Sequence, residues 1–356
     1  MNPYYPELVL VQERCLQDPA TRGILERLAG IETRTISNTD VSSYGKDTLV
    51  LVHYPGRFLK NCQGSGAEIC CGYQVASYAW NCHLQCTYCV LRSYLESEAL
   101  LICTNIEEML EEIKETLEKS PDRTFRIGTG ELADSLALDH ITRYSRQIVP
   151  FFAALKNGVL ELKTKSDQID NLKDLDHTGR TVVAWTVNSR RICRSEESMA
   201  ASFEERLAAA GQCEKWGYRL GFHFDPIIYY EGWESEYREA VKEIFAGINP
   251  ESVAWISLGA LRFTPHLRDL VRKRFPESKV PYGEFVPGHH GKLRYFRPIR
   301  EEIYRKMKSW IHAEAPAVFV YLCMESRLVW ARSFGKAPLD ASDLSRQMDS
   351  LVFSKQ

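Results

Sequence analysis

The sequence predicts an α/β protein whose parallel sheet curls into a (β/α) barrel or a partial barrel. Apolar, strand-like runs alternate with amphipathic helical stretches from about residue 76 onward, and such alternation is typical of parallel sheets. No low-complexity tract and no repeat of fixed period interrupts the pattern. The chain has 356 residues, of which 44% are hydrophobic. This is enough to bury a large core in one or two domains.

The predicted elements follow one another in a regular order. The first barrel strand covers 75–80, and Asn105 then caps a helix that runs to Glu118 with one apolar face. Further strands are predicted at 124–127, 159–163, 181–187, 218–224, 252–257 and 317–322, and further helices at 139–155, 199–215, 235–247 and 265–274. In such a barrel, functional residues lie at the C-terminal ends of the strands.

Two regions flank the barrel pattern of residues 75–325, and one insertion lies within it. Residues 1–74 contain one clear strand, 48–53, and a loop rich in Gly and Cys, and we interpret them as an N-terminal extension. Residues 280–300 form a basic, aromatic insertion in which a hairpin or substrate loop is expected. Residues 326–356 form a C-terminal tail.

Charge and cysteine content narrow the classes of function. The net charge is -2, so any contact with nucleic acid has to come from a local basic patch. No signal-like segment and no stretch of about 18 apolar residues occurs, and we expect a cytoplasmic protein without membrane contact. Eleven cysteines are many for a reducing compartment, where clustered cysteines are more often metal ligands or reactive thiols than disulfides.

Cys82, Cys86 and Cys89 form a Cys-x3-Cys-x2-Cys run directly after the first predicted barrel strand. Three thiolates on one loop can hold three corners of a four-iron four-sulfur cluster, whereas ordinary cluster ligation uses four cysteines. The fourth iron stays open and can bind the amino and carboxylate groups of S-adenosylmethionine (SAM), which it cleaves to a carbon radical. The alternatives are buried core cysteines or a zinc site completed by His83, although zinc usually takes four ligands in paired spacings.

At this point the chain resembles the radical SAM superfamily and, in particular, the spore photoproduct lyase family. The resemblance covers roughly residues 75–325, and a Cys-Cys-Gly-Tyr element at 70–73 looks like a segment upstream of the triad in many non-sporulating relatives. The stretches that carry it, besides the triad, are 162–165, 187–190, 203–210, 217–222, 225–227, 231–233 and 262–264. It implies a partial (β/α)6 barrel, a 4Fe-4S cluster, SAM, and radical reversal of a thymine dimer in DNA.

The resemblance also implies roles for residues that follow the barrel strands. Lys165 and Ser189 match positions that hold the SAM carboxylate, with Asn188 as a neighbour that could substitute. The segment Gly128, Thr129, Gly130 and Glu131 offers two glycines for close backbone approach and an acceptor for the SAM amino or ribose groups.

The catalytic residues of the family match this chain only in part. Tyr88 matches a tyrosine near the radical path, but Val90 stands where a second tyrosine is expected. The segment 126–134 lacks the cysteine that returns hydrogen in the family. Cys323, Cys193 and Cys103 are candidate replacements, and Cys323 is our candidate at the end of the last strand.

Positive charge is concentrated between Arg262 and Lys308, where 13 Lys or Arg stand against 5 Asp or Glu, an excess of 13 − 5 = 8. Cations and aromatic rings interleave here, as expected for phosphate contacts and base stacking. The predicted substrate or DNA contacts are Lys292, Arg294, Tyr295, Arg297 and Arg300. The alternative is a solvated basic face.

These observations predict a radical SAM enzyme that acts on DNA and receives electrons from a donor such as flavodoxin or ferredoxin. A first rival function keeps the radical chemistry on another nucleotide, RNA, a peptide or a small molecule, which the missing cysteine favours. A second rival is a non-catalytic iron–sulfur protein that binds DNA or senses redox state.

Overall fold

The fold is described from a computed structural model that covers residues 2–38, 40–62, 68–94, 97–288 and 291–353. The strands are β1 Leu8–Gln12, β2 Glu32–Ile36, β3 Thr48–Val52, β4 Leu59–Asn61, β5 Gln74–Ala76, β6 Ala79–Trp80, β7 Leu100–Cys103, β8 Phe125–Gly128, β9 Gly158–Thr164, β10 Thr181–Thr186, β11 Arg219–Ile227, β12 Val253–Ala260, β13 Arg262–Phe263, β14 Val286–Pro287, β15 Leu293–Arg294 and β16 Val320–Leu322. The helices are α1 Pro19–Arg27, α2 Ile106–Glu118, α3 Asp139–Thr142, α4 Ser145–Ala153, α5 Arg190–Glu196, α6 Phe203–Lys215, α7 Trp233–Gly247, α8 Pro265–Arg274, α9 Arg297–Glu314, α10 Arg327–Phe334 and α11 Ala341–Phe353.

The larger sheet is the predicted barrel sheet. Within the described residues its order is β16-β12-β11-β10-β9-β8-β5-β4, and all neighbours are parallel except β4, which runs antiparallel to β5. Strands β10 and β12 are buried along their whole length, because helices cover one face and the interior of the curled sheet covers the other. The expected partial (β/α) barrel is confirmed.

A second sheet lies on the N-terminal side, in the order β2-β1-β3-β7-β6. Strands β1, β2, β3 and β7 are parallel, and β6 is antiparallel to β7. The sequence predicted a single strand in residues 1–74 and one continuous strand at 75–80. The structure instead divides 75–80 between the two sheets, because Ser77 and Tyr78 bond to Phe58 and Cys103 between β5 and β6.

A short bridge on the described part of the chain links the two ends of the barrel sheet. The Ile69 N–H donates to the Glu325 carbonyl oxygen at 3.0 Å, so the segment before β5 pairs with the segment after β16. The Cys-Cys-Gly-Tyr element therefore lies at the seam of the barrel.

The C-terminal tail folds as α10 and α11. The guanidinium of Arg126, on β8, is buried and bonds to Asp349 at 3.0 Å and to the Cys71 carbonyl oxygen. Arg126 thus joins α11, the barrel and the seam. None of the described helices combines the length and the hydrophobicity that crossing a bilayer requires.

Candidate active site

The three cysteines of the triad lie on the loop after β6 and face one cavity of about 180 Å³. Asn81 and Gln85 in this loop have positive φ angles of 68° and 53°, which let the chain turn tightly. The Asn81 amide donates to the carbonyl oxygens of Ser97 and Ala99 at 2.8 and 2.7 Å. Asn81 therefore ties the start of the cysteine loop to the segment just before β7.

The thiols fit a cluster better than a single ion. Cys82, Cys86 and Cys89 are all free thiols, and burial raises the pKa of Cys86 to about 12 and that of Cys82 further. Among the described residues no group of three His, Cys, Asp or Glu could hold one metal ion, as zinc would require with each thiolate about 2.3 Å from it. A cubane binds each thiolate to a different iron, so three free thiols that line one cavity can hold it without converging on a single atom.

The ends of β8 and β9 supply the other cavity walls. Gly130, Glu131, Lys163 and Lys165 line the cavity together with the three cysteines. Asp134 fixes the end of β9, because its carboxylate accepts the Lys165 N–H at 2.7 Å and the hydroxyl of Thr164 at 2.6 Å. The sequence prediction that strand-end residues meet the cysteines holds for Gly130, Glu131 and Lys165.

Lys165 is surrounded by a buried charge network. Its ammonium lies 5.8 Å from the centre of the Tyr88 ring, and the Tyr88 hydroxyl donates to the Glu197 carboxylate. Glu197 pairs with Arg206 at 2.5 Å, with both side chains wholly buried. Burial disfavours the Lys165 ammonium, but Cys86 and Glu197 outweigh it and raise the pKa of Lys165. The network keeps a cation at the cavity wall.

The two glycines at the end of β8 pack tightly against protein groups, and their contact with the cofactor stays a prediction. A Cβ on Gly128 would lie 1.4 Å from the Tyr73 hydroxyl, and one on Gly130 would lie 2.7 Å from the Lys163 carbonyl oxygen. Thr129 is buried and donates to Ser135 at 2.8 Å. Gly128 and Thr129 therefore lie outside the cavity lining.

Asn188 and Ser189 lie one step behind the cavity. The Asn188 amide donates to Glu197 at 3.0 Å and its carbonyl oxygen accepts from Tyr237 at 2.6 Å. Ser189 caps helix α5 by accepting the Ile192 N–H, and both residues are fully buried. Their polar atoms are bonded within the protein, whereas the sequence predicted direct contact with SAM.

Below the cavity the barrel interior is polar, which agrees with the sequence, where His223 and Asp225 alternate along a predicted strand and are expected to face the same side. Glu161 accepts from His223 at 2.7 Å and from Trp255 at 3.1 Å. One level closer to the cavity, Asp225 pairs with Arg262 at 3.1 Å. The signal was the alternation of charged residues along β9 and β11, since every second residue of a strand faces the same side.

Cys323 lies in this polar interior. Its Sγ is 3.7 Å from the Arg262 guanidinium, and burial together with Asp225 raises the pKa of Cys323 well above its ordinary value. The other two candidate donors lie elsewhere: Cys103 is in the N-terminal sheet and Cys193 is buried in α5.

Much of the basic insertion contacts other parts of the protein, whereas the sequence predicted that it contacts DNA. Arg294 pairs with Glu68 at 2.6 Å and with Glu325 at 2.8 Å, and Arg300 pairs with the same Glu325 at 2.9 Å. Tyr295 is buried, and its hydroxyl accepts the Tyr229 N–H at 3.0 Å. These three predicted DNA contacts therefore face the protein interior, because their polar groups bond to the seam and to the core.

Lys292 and Arg297 are the predicted DNA contacts that retain exposure. The Arg297 side chain is 46% exposed, and Lys292 is partly exposed beside β15. Phe296, directly before Arg297, is 58% exposed. A cation and an aromatic ring are thus available to a ligand next to β15.

Comparisons with known proteins agree with this geometry. The chain matches the family model for spore photoproduct lyase over residues 58–322. It is 26% identical to the spore photoproduct lyase of Geobacillus sp. (strain Y412MC61), over 90% of this chain and 99% of that protein. It is 27% identical to the spore photoproduct lyase of Bacillus subtilis (strain 168), over 85% of this chain and 92% of that protein.

Solved structures show the same fold. A spore photoproduct lyase variant with bound AdoMet and dinucleoside spore photoproduct has a TM-score of 0.82 and 24% identity, and covers 90% of this chain and 100% of that chain. A spore photoproduct lyase complexed with dinucleoside spore photoproduct has a TM-score of 0.81 and 23% identity, with the same coverage. Because the family model spans most of the chain, including the cysteine loop and the barrel strands, the chain belongs to the spore photoproduct lyase family.

Proposed function

We propose that this protein reverses a thymine dimer of the spore-photoproduct kind in DNA. As a member of its family it is a radical SAM enzyme with a 4Fe-4S cluster and SAM as cofactors. The relatives are named spore photoproduct lyases, and one solved relative carries both AdoMet and the dinucleoside lesion. The observation that carries the proposal is the single cavity that three free thiols share with Lys165 and Glu131.

Each cavity group has a distinct role in this proposal. Cys82, Cys86 and Cys89 bind three irons, and the cluster when bound supplies the electron that cleaves SAM. The Lys165 ammonium binds the SAM carboxylate, and Glu131 accepts hydrogen bonds from the SAM amino or ribose groups. Asn188 acts on this site through Glu197 and Tyr88, and Ser189 acts by capping α5.

Tyr88 and Cys323 are the residues that would carry hydrogen. The Tyr88 hydroxyl already bonds to Glu197, whose pKa Arg206 holds at about 2 against the effect of burial. Glu197 is therefore ionised at neutral pH and accepts the hydrogen bond of the Tyr88 hydroxyl, which keeps its hydrogen because burial and Glu197 raise the pKa of Tyr88. Cys323 retains its S–H because its pKa is raised, and a hydrogen-atom donor has to carry that hydrogen.

Cys62 and Cys71 are rivals to Cys323 that the sequence did not single out as donors. Both thiols are electrostatically coupled to Cys323. A hydrogen bond with Cys70 lowers the pKa of Cys71, so Cys71 is the thiol among these that deprotonates most readily. Burial raises the pKa of Cys62 to about 11, which leaves Cys62 and Cys323 as thiols able to donate a hydrogen atom.

A pair of variants distinguishes these two thiols. We expect Cys323→Ala to lower lesion repair about tenfold or more while SAM cleavage persists, because the product radical is formed and then lacks its donor. Cys62→Ala is the matched control and should repair at nearly the wild-type rate. The readout is the ratio of 5′-deoxyadenosine formed to dimers repaired, measured anaerobically. A normal ratio in Cys323→Ala, or a raised ratio in Cys62→Ala, assigns the donor elsewhere.

DNA and the electron donor belong to the same proposal. Lys292 and Arg297 bind backbone phosphates, and Phe296 stacks on a base beside the lesion. Extrusion of the lesion is needed because the cavity lies between the cysteine loop and the strand ends, where a base still stacked in duplex DNA cannot reach it. A small acidic carrier such as flavodoxin or ferredoxin would deliver the electron to the cluster.

One anaerobic experiment tests the function as a whole. The cluster is reconstituted, dithionite and SAM are added, and 5′-deoxyadenosine is followed with and without a spore-photoproduct dinucleotide. Repair of the dinucleotide supports the proposal. SAM cleavage without repair would favour the rival function in which the same radical acts on another substrate. The absence of SAM cleavage in every condition would refute the proposed enzymatic activity.

A further inference from the structure

A lysine from the N-terminal sheet reaches the cysteine cavity. Lys46 stands in the turn before β3, 36 residues ahead of Cys82 (82 − 46), yet it lines the same cavity as all three cysteines. Arg92, which follows the triad, lines the cavity as well, and its Nε donates to the Cys86 carbonyl oxygen at 3.3 Å. Two cations of separate origin thus flank the thiols.

The backbone of Lys46 is fixed by the N-terminal segment. The Tyr4 hydroxyl donates to the Lys46 carbonyl oxygen at 2.7 Å, and the Tyr4 carbonyl oxygen lies 2.7 Å from Nε2 of His140. The Tyr4 ring stacks on His83, within the cysteine loop, with centroids 4.7 Å apart and an interplanar angle of 22°. The turn that carries Lys46 is therefore held against the cysteine loop.

Cys82, Cys89 and Glu98 line the cavity together with Lys46 and influence its charge. Burial and the neighbouring Arg92 lower the pKa of Lys46, while Cys82, Cys89 and Glu98 act in the opposite direction. Glu98 already pairs with Arg274. The charge of Lys46 is consequently directed towards Cys82 and Cys89.

We propose that Lys46 sets the reduction potential of the cluster from the N-terminal sheet. This inference rests on the proposed cluster at Cys82, Cys86 and Cys89. When the donor passes one electron to the cluster, the cluster becomes more negative by one unit, and Lys46 neither gains nor loses an electron. A fixed cation in a poorly solvated cavity stabilises the reduced form and raises the potential. Lys46 thus acts on the cluster only through its charge.

Potentiometry of reconstituted enzyme measures this role directly. We expect Lys46→Gln to lower the ratio of reduced to oxidised cluster at a fixed potential about threefold to tenfold, and tenfold corresponds to about 59 mV for one electron. Lys46→Arg keeps the charge and should titrate like the wild type. Lys114→Gln, the same change on the exposed face of α2 outside the cavity lining, is the matched control. The readout is the EPR signal of the reduced cluster, with iron counted for each protein.

The outcomes separate this inference from the proposed function. A wild-type protein that holds no iron would refute the cluster assignment and, with it, this inference. A Lys46→Gln protein with full iron and an unchanged midpoint would overturn the role of Lys46 alone, and so would equal shifts in the Gln and Arg variants. If Lys46→Gln does not retain iron, Lys46→Met keeps the aliphatic stem and has to show the same downward shift.

Discussion

The cysteine loop and the basic insertion use their polar groups in opposite ways. Cys82, Cys86 and Cys89 are free thiols that face a common cavity. Arg294 and Arg300, in contrast, both pair with Glu325, which is wholly buried. The first region presents groups to a ligand, and the second uses two of its four Lys and Arg side chains to hold the barrel together. Local charge in a sequence therefore says little about what the surface offers.

The largest expected effect concerns the free thiols. Cys86→Ala should lose the cluster and all SAM cleavage, because two thiolates cannot hold a cubane with one open iron. Cys213→Ala is the matched control, since Cys213 is buried in α6 away from the cavity. Iron content and the visible absorption of reconstituted protein measure the effect. A Cys86→Ala protein with a full cluster would contradict the ligand assignment and remove the contrast with the insertion.

The second prediction concerns the paired charges. Arg294→Ala should lower the free energy of unfolding by about 3–5 kcal/mol, because it leaves Glu68 and Glu325 buried without that cation. Arg297→Ala, at an exposed position of the same region, should cost less than about 0.5 kcal/mol. Urea denaturation measures both. Similar losses in the two variants would show that the insertion is uniform rather than divided between interior and surface.

The third prediction extends the behaviour of paired charges to the barrel interior. Burial raises the pKa of Glu161, but His223 outweighs it and holds that pKa at about 2, below the unfolded value of about 4.3. A depressed folded pKa contributes stability above pH 4.3, and this contribution is lost as the pH falls towards 2. We expect a loss of up to about 3 kcal/mol over that range.

Acid denaturation of the wild type and of Glu161→Gln tests this pH dependence. The glutamine keeps the shape of the side chain and a hydrogen-bonding oxygen for His223, but it does not titrate. The variant should therefore lose less stability than the wild type between pH 4.3 and 2. Parallel stability curves would mean that the Glu161 and His223 pair does not govern stability in acid.

The smallest expected effect concerns the exposed part of the insertion. Arg297→Ala should weaken binding to a lesion-containing oligonucleotide about threefold to tenfold and reduce the salt slope by about 1, as expected for one lost phosphate contact. Fluorescence anisotropy across a range of salt concentrations measures it. Lys119→Ala, an exposed lysine on the far end of α2, provides the control. An unchanged slope would leave Arg297 outside the DNA interface.

The sequence predicted the barrel and the heart of the site for definite reasons. The cysteine spacing is a local pattern that chemistry alone makes specific, and the alternation of strands and helices predicts strand ends that converge. Together with the family resemblance, this pattern placed Glu131 and Lys165 at the same site as the cysteines. Strands β1 and β7 were not predicted, because periodicity alone does not identify short apolar runs as strands or show which sheet they join.

Contacts between distant segments could not be read from the sequence. Lys46 reaches the cavity only because the N-terminal sheet packs against the cysteine loop. Arg294 faces inward because side chains alternate along β15 and because its ion-pair partners Glu68 and Glu325 lie on the inner side. Arg143, with φ of 54°, divides the predicted helix 139–155 into α3 and α4, and no residue pattern marked that position.

The bridge between Ile69 and Glu325 has a consequence for how the molecule is made. Its two ends are 256 residues apart (325 − 69), so the barrel seam cannot form until Glu325 has left the ribosome. Until then the polar interior of the barrel is open to water, and the N-terminal sheet has time to fold first. Contacts of such long range form slowly. The seam therefore joins two segments that are synthesised at widely separated times.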